Sequence, residues 1–264
     1  MRAFTYQRAG SLAEAGTAAA LPGHMLLAGG TTVLDLAKCL VTEPEALVDI
    51  TRLPGLDGIE TGPDGAEIGA LARMSRVAED PGIREHFPAV AQSLSLAASQ
   101  QLRNMATIGG NLMQRTRCAY FRDPATFTAC NKRNPGSGCA AMEGIARNHA
   151  ILGTSEACIA TYPGDLAVAL VALEATVHTT ERSIPMEEFH LEPGDTPDRE
   201  TVLEPGEMIT RITLPATRIA RTSVYLKVRD RQSYEFAAAS AAVGVVLGTD
   251  GRTIEDARVA LGGV

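Results

Sequence analysis

Short apolar stretches alternate with turns marked by glycine and proline along this chain, and no apolar run approaches the roughly 20 residues of a membrane span. His24 to Ala28 reads as a short buried strand. Gly29-Gly30-Thr31-Thr32 follows, and then Val33, Leu36, Ala37 and Leu40 recur at helical spacing. The first unit is therefore strand, glycine turn, helix. Val48-Asp49-Ile50 predicts the next strand and Glu67 to Leu71 another, with Pro54-Gly55 and Pro63-Asp64-Gly65 as turns. A new unit begins near residue 56. Pro88 to Gln101 predicts a helix with Val90, Leu94, Ala97 and Ala98 on its apolar face, leading into a second glycine turn, Thr107-Ile108-Gly109-Gly110-Asn111.

Residues 114 to 160 show little periodicity and carry Pro124 and Pro135, as expected of an inserted loop organised by a ligand. Asp165 to Leu173 is helical in pattern and Ala175 to Thr179 extended, while Glu192 to Pro205, rich in proline, glycine and acids, predicts a surface loop. Val224 to Arg229 and Ala239 to Leu247 read as extended. Arg252 to Val264 starts a further element that stops abruptly, as if the chain were cut there. Internal repeats and low-complexity tracts are absent.

At 264 residues and 45% hydrophobic content the chain can bury a substantial core in one to three units without needing a metal merely to fold. Its formal net charge of −7 gives no basis for general binding to nucleic acid or anionic lipid. Neither partner class is expected. The N-terminus, Met1-Arg2-Ala3-Phe4-Thr5-Tyr6, lacks an export signal, which places the protein in the cytoplasm, or in the periplasm by co-export with a partner. With no tryptophan and 4% aromatic residues, a planar ligand would rest mainly on aliphatic and backbone surface. The five histidines are scattered and no nucleophile–base pairing is visible, so hydrolytic chemistry has little support.

Against that acidic background, Arg115 to Arg147 holds six basic residues and two acids. Cys118, Cys130, Cys139 and Cys158 lie in and beside this stretch, and the local positive charge calls for an anion. An iron–sulfur cluster on four thiolates is one, and its sulfurs want N–H donors, which Gly136-Ser137-Gly138 could supply. Structural zinc usually takes close cysteine pairs, whereas the gaps here are eleven, eight and eighteen residues. Disulfides would call for an oxidising compartment and a small core-poor domain. Spacing alone leaves a cluster, zinc and unliganded structural thiols open. Cys39 is expected to pack as a small buried hydrophobe.

A glycine turn opening a helix can form an anion nest of backbone N–H groups, and Ala28 to Leu34 has that form. It matches neither GxxxxGK[ST] nor GxGxxG. The plain alternative, a Gly-Gly serving only as a turn, weakens when two such sites accompany a cysteine group.

Ala28-Gly29-Gly30-Thr31-Thr32-Val33-Leu34-Asp35-Leu36, Ala106-Thr107-Ile108-Gly109-Gly110-Asn111-Leu112 and Pro163-Gly164-Asp165-Leu166-Ala167 together resemble the FAD-binding medium subunit of the xanthine dehydrogenase and molybdenum hydroxylase family. The likeness covers essentially the whole chain. Arg117-Cys118-Ala119-Tyr120-Phe121-Arg122-Asp123, Cys130-Asn131-Lys132-Arg133 and Pro135-Gly136-Ser137-Gly138-Cys139 look most like the branch with an extra [4Fe-4S] cluster, which includes aldehyde oxidoreductase and 4-hydroxybenzoyl-CoA reductase flavoprotein subunits. His149 to Ser155 and Cys158 to Thr161 look closer to the aldehyde oxidoreductase version.

The resemblance implies an α+β, two-subdomain FAD-binding fold of the PCMH type with an incomplete C-terminal α+β domain. The implied boundaries are 1–55, 56–215 with the cluster insert at about 114–160, and 222–264. An incomplete last sheet would expose an edge and apolar surface, predicting poor solubility without a partner. FAD would be held by Leu26, Leu27, Ala28, Gly29, Gly30, Thr31, Thr32, Val33 and Leu34 on the first segment and Thr107, Gly110 and Asn111 on the second. Asp165 would bond the adenosine or ribityl side, and Lys227 would lie near the isoalloxazine, with an exposed strand lysine as the plain alternative. The cluster ligands would be Cys118, Cys130, Cys139 and Cys158. Tyr162 stands where close relatives often have histidine, and reads as a hydroxyl-anchored structural residue. The implied partners are a large molybdenum-cofactor subunit and a small [2Fe-2S] subunit, with this chain transferring electrons and not itself oxidising substrate; the alternatives are the beta subunit of a 4-hydroxybenzoyl-CoA reductase-like enzyme and a non-flavin scaffold subunit stabilised by a metal or cluster.

Overall fold

A computed structural model describes residues 1–264. The first sheet is parallel, in the order β1-β3-β2, with β1 at Thr5–Arg8, β2 at His24–Leu27 and β3 at Ala46–Asp49. Parallel neighbours need crossovers, supplied by α1 (Leu12–Ala19) and α2 (Val33–Lys38). The central strand β3 is buried along its whole length, and Val48 packs with Ala15 and Ile50 in a small core of its own.

The second sheet is antiparallel, in the order β4-β5-β8-β6-β7. Its hairpin β4 (Ile59–Gly62) and β5 (Gly65–Gly69) is followed by a helical run: α3 (Met74–Glu79), α4 (Pro81–His86), α5 (Pro88–Leu96), α6 (Gln100–Met105) and α7 (Ile108–Leu112). One further turn, α8 (Ala119–Arg122), is the only helix in the cysteine segment. After α9 (Asp165–Ala172), the strands β6 (Thr176–Thr179) and β7 (Ser183–Pro185), the turn α10 (Met186–Phe189) and finally β8 (Ile209–Pro215) complete the sheet. Thus β8 enters between β5 and β6 although a long stretch of chain separates it from β5.

A short α11 (Arg218–Arg221) leads to the third sheet, antiparallel in the order β11-β10-β9, with β9 at Val224–Val228, β10 at Ala239–Leu247 and β11 at Ile254–Gly262. Its inner face shares one core with the second sheet: Tyr225, Ala242 and Ala260 join Leu94, Leu170 and Ile212. Helix α9 lies in this junction, against α5, β10 and β11, and is accordingly apolar all round beyond Asp165. The outer face is different. Leu226, Val228, Val259 and Leu261 are exposed there.

Three expectations need correcting. The helix predicted over Pro88 to Gln101 stops at Leu96, because Ala98 takes φ +46° and Ser99 opens a new helix by accepting the Leu102 N–H at 3.3 Å. Cys39 is half-buried at the end of α2. The acidic loop after Glu192 does more than cover the surface: residues 198 to 205, Val202 apart, wall a cavity. No helix is long and apolar enough to cross a membrane.

Candidate functional site

The two glycine turns meet. A Cβ on Gly29 would lie 2.2 Å from the Met105 carbonyl oxygen, so the turn after β2 packs directly on the backbone that leads into the second turn. Only glycine permits that approach. Gly30 takes φ +73°, a left-handed conformation that turns the chain into α2. None of the backbone N–H groups of Gly29, Gly30, Thr31 or Thr32 donates to another protein atom. Across from them, Thr107 is buried and its hydroxyl accepts the Gly110 N–H at 3.3 Å.

Between the turns opens a cavity of about 610 Å³. Leu26, the run Ala28 to Val33, Thr107 and Gly110 all line it. Leu27, Leu34 and Asn111 stand beside it without facing it, although the Asn111 side-chain oxygen is buried with no partner. Sequence reasoning missed the other wall, made by Arg115, Tyr162, His190 and the acidic loop through Glu200 and Glu207. Tyr162 donates to the carbonyls of Asn111 (3.2 Å) and Leu112 (3.1 Å), and His190 Nε2 lies 2.9 Å from the same Leu112 oxygen. These two rings, with centroids 4.1 Å apart, fasten the end of α7. Burial pushes the Tyr162 phenol far above its ordinary range and holds His190 below its own.

Asp165 and Lys227 lie outside this cavity. Lys227 is not an exposed strand lysine: its side chain is 1% exposed, on the inner face of the third sheet. Its ammonium donates to Asp165 Oδ2 at 2.7 Å and to the Leu96 carbonyl at 3.2 Å. The Tyr225 hydroxyl donates to the other Asp165 oxygen at 2.6 Å, and burial, reinforced by that carboxylate, raises the Tyr225 pKa. The pair is thus satisfied within the protein. Asp165 does border a second, polar cleft of about 250 Å³, which shares Tyr162 with the first and includes Arg117, Phe236 and Ser240.

The four cysteines Cys118, Cys130, Cys139 and Cys158 surround one small enclosed space, lined otherwise by Phe121, Lys132 and several alanines. Cys130 and Cys139 face each other in an antiparallel bridge, and so do Ser155 and Cys158. No group of three or more His, Cys, Asp or Glu side chains converges as it would on a single ion. Burial raises the Cys118 and Cys158 thiols above their ordinary range. The Ala160 N–H donates to the Cys158 sulfur at 3.5 Å, and His149 Nε2 lies 3.2 Å from the Cys118 sulfur. The Gly138 N–H donates instead to Asn131 at 2.8 Å.

The positive field expected from Arg115 to Arg147 is largely spent inside the protein. Arg117 and Arg122 bind Asp35, Arg115 and Lys132 bind Glu200, and Arg147 binds Asp230, all acids outside the segment. Arg133 donates to the carbonyls of Tyr120 and Phe121. Sequence composition could not reveal those partners, which lie far away along the chain.

Fold and site define a class: an α+β module with a nucleotide-sized cavity between two glycine turns. Residues 2–217 match the family described as the FAD binding domain in molybdopterin dehydrogenase, and the chain belongs to that family of FAD-binding medium subunits. It is 48% identical over 271 residues to the aldehyde oxidoreductase FAD-binding subunit PaoB of Escherichia coli (strain K12), covering 100% of this chain and 82% of the relative. It is also 29% identical to the glyceraldehyde dehydrogenase medium chain of Sulfolobus acidocaldarius, over 99% of this chain and 75% of that one. Among solved structures, the reconstituted CO dehydrogenase from Oligotropha carboxidovorans shares the fold with a TM-score of 0.72 at 22% identity, over 99% of this chain and 75% of that one. The protein is therefore an oxidoreductase subunit.

Proposed function

We propose that this chain holds FAD and an iron–sulfur cluster as the electron-transfer subunit of a molybdenum-dependent aldehyde oxidoreductase. In that complex a large molybdenum subunit would oxidise the aldehyde and a small [2Fe-2S] subunit would relay electrons to the flavin and on to an external acceptor. Bound FAD supplies a carrier that takes up two electrons and can release them singly. The observation that carries the flavin reading is the set of unpaired N–H groups at Gly29 to Thr32, residues that line a cavity large enough for a dinucleotide. They would hold the pyrophosphate, with Thr107 and Gly110 completing the cradle. Asp165 would act toward the flavin from the second cleft, with Lys227 behind it holding its carboxylate.

Cys118, Cys130, Cys139 and Cys158 line one enclosed space, and four thiolates are the ligand set that a [4Fe-4S] cluster takes. Cys118, Cys130, Cys139 and Cys158 would be its ligands, and the N–H group of Ala160 a sulfur partner at Cys158. Similarity to the aldehyde oxidoreductase subunit favours an aldehyde over an aromatic CoA thioester as substrate of the complex. The test is anaerobic mixing of aldehyde with the purified chain and with the assembled complex. Flavin should bleach in the complex alone, and a chain that turned over aldehyde unaided would overturn the proposed division of labour.

A further inference from the structure

The cysteine segment is fastened to two separate walls of the flavin cavity. On the first wall, Asp35 of α2 accepts from Arg122 at 2.5 Å and from Arg117 at 3.1 Å. Phe121 and Cys130 pack on Leu36 of the same helix, and Leu36 itself lines the cavity directly after the first glycine turn. On the second wall, Lys132, two residues past Cys130, forms an ion pair with Glu200 at 2.9 Å and donates to the Pro197 carbonyl at 2.9 Å. Arg115 binds Glu200 as well, and Ser155 donates to the Gly194 carbonyl at 2.7 Å. Lys132 and Glu200 are 11% and 24% exposed, so this contact is more than a solvated surface pair.

We propose that the cysteine segment is a brace for the flavin cavity, so that flavin affinity and metal occupancy of the segment are thermodynamically linked. The segment has one helical turn of its own, and Phe121, Cys130 and Ala141 are among its few deeply buried apolar side chains. A loop so poor in core is ordered by what its thiols bind. When that order is lost, Asp35 and Glu200 lose their cationic partners together, and α2 and the acidic loop are freed on both sides of the cavity. Binding free energies are reciprocal: flavin that favours the braced state must in turn favour metal retention. The inference rests on the FAD and cluster readings above, but the brace itself is built from Asp35, Lys132 and Glu200.

The experiment measures the FAD dissociation constant by fluorescence titration of deflavinated protein, with circular dichroism confirming the fold. Asp35→Asn and Lys132→Gln leave every cysteine in place and should each weaken FAD about tenfold. Cys139→Ser should do the same as it loses iron, and wild type should surrender iron to a chelator faster without FAD than with it. Arg258→Ala, which removes a remote surface pair with Glu174, should leave affinity unchanged. Wild-type affinity in folded Asp35→Asn and Lys132→Gln would overturn the brace. Iron-free wild type that binds FAD normally would overturn the linkage and the cluster reading while those two variants still decide the brace. Wild type that takes up no FAD would overturn the flavin reading beneath both.

Discussion

A methyl group at Gly29 would sit 2.2 Å from the Met105 carbonyl, so Gly29→Ala must push apart the two turns that make the cavity. The variant should keep its secondary structure and lose FAD retention, checked by flavin content after gel filtration. Lys227 presents the opposite case of a residue whose role lies in pairing. Replacing it by methionine strands Asp165, 5% exposed, with only the Tyr225 hydroxyl as partner, and should cost about 3 kcal/mol in urea unfolding. An Asp165→Asn/Lys227→Met double variant should recover part of that loss. The glycine turns were legible as turns because a Gly-Gly between an apolar strand and a helical pattern admits the left-handed conformation that Gly30 takes. Burial of Lys227 was not, since alternation along β9 puts Tyr225 and Lys227 on one face without saying which face is inward. The six basic residues of the cysteine segment misled for a related reason: charge was visible, but its partners Asp35, Glu200 and Asp230 are remote in sequence.

At the scale of elements, α7 depends on its far end. Tyr162 and His190 fasten its last carbonyls, so its first residues stay against the cavity. Burial lowers the His190 pKa, and the linkage follows directly. Below the ordinary histidine value of about 6.5 the unfolded chain takes up a proton that the folded chain resists, so stability falls as pH drops through that range. His190→Gln should flatten part of the fall in Tm between about pH 7.5 and about pH 5.5; His149 and His178, also held down by burial, keep the rest. Strands and helices with a clean apolar pattern, β2, α2, α9 and β10, were legible in the sequence within a residue or two. β8 was missed although it is central to the second sheet, because Ile209, Ile212 and Leu214 break strict alternation and its partners β5 and β6 are distant in sequence.

Across the whole molecule, the third sheet offers Leu226, Val228, Val259 and Leu261 to solvent as one apolar face. Purified alone, the chain should self-associate in light scattering, and Leu226→Lys with Val259→Lys should reduce it without altering FAD content. The central claim is that one chain carries two redox centres on separate constellations, the glycine-turn cavity and the cysteine-lined space. The most direct test is the visible spectrum of anaerobically purified protein before and after dithionite, with flavin and iron quantified on the same sample. The account predicts flavin bands above a broad bleachable shoulder, with one FAD and about four iron atoms per chain. Flavin without iron, in a protein whose five cysteines all react with a thiol reagent on unfolding, would contradict it.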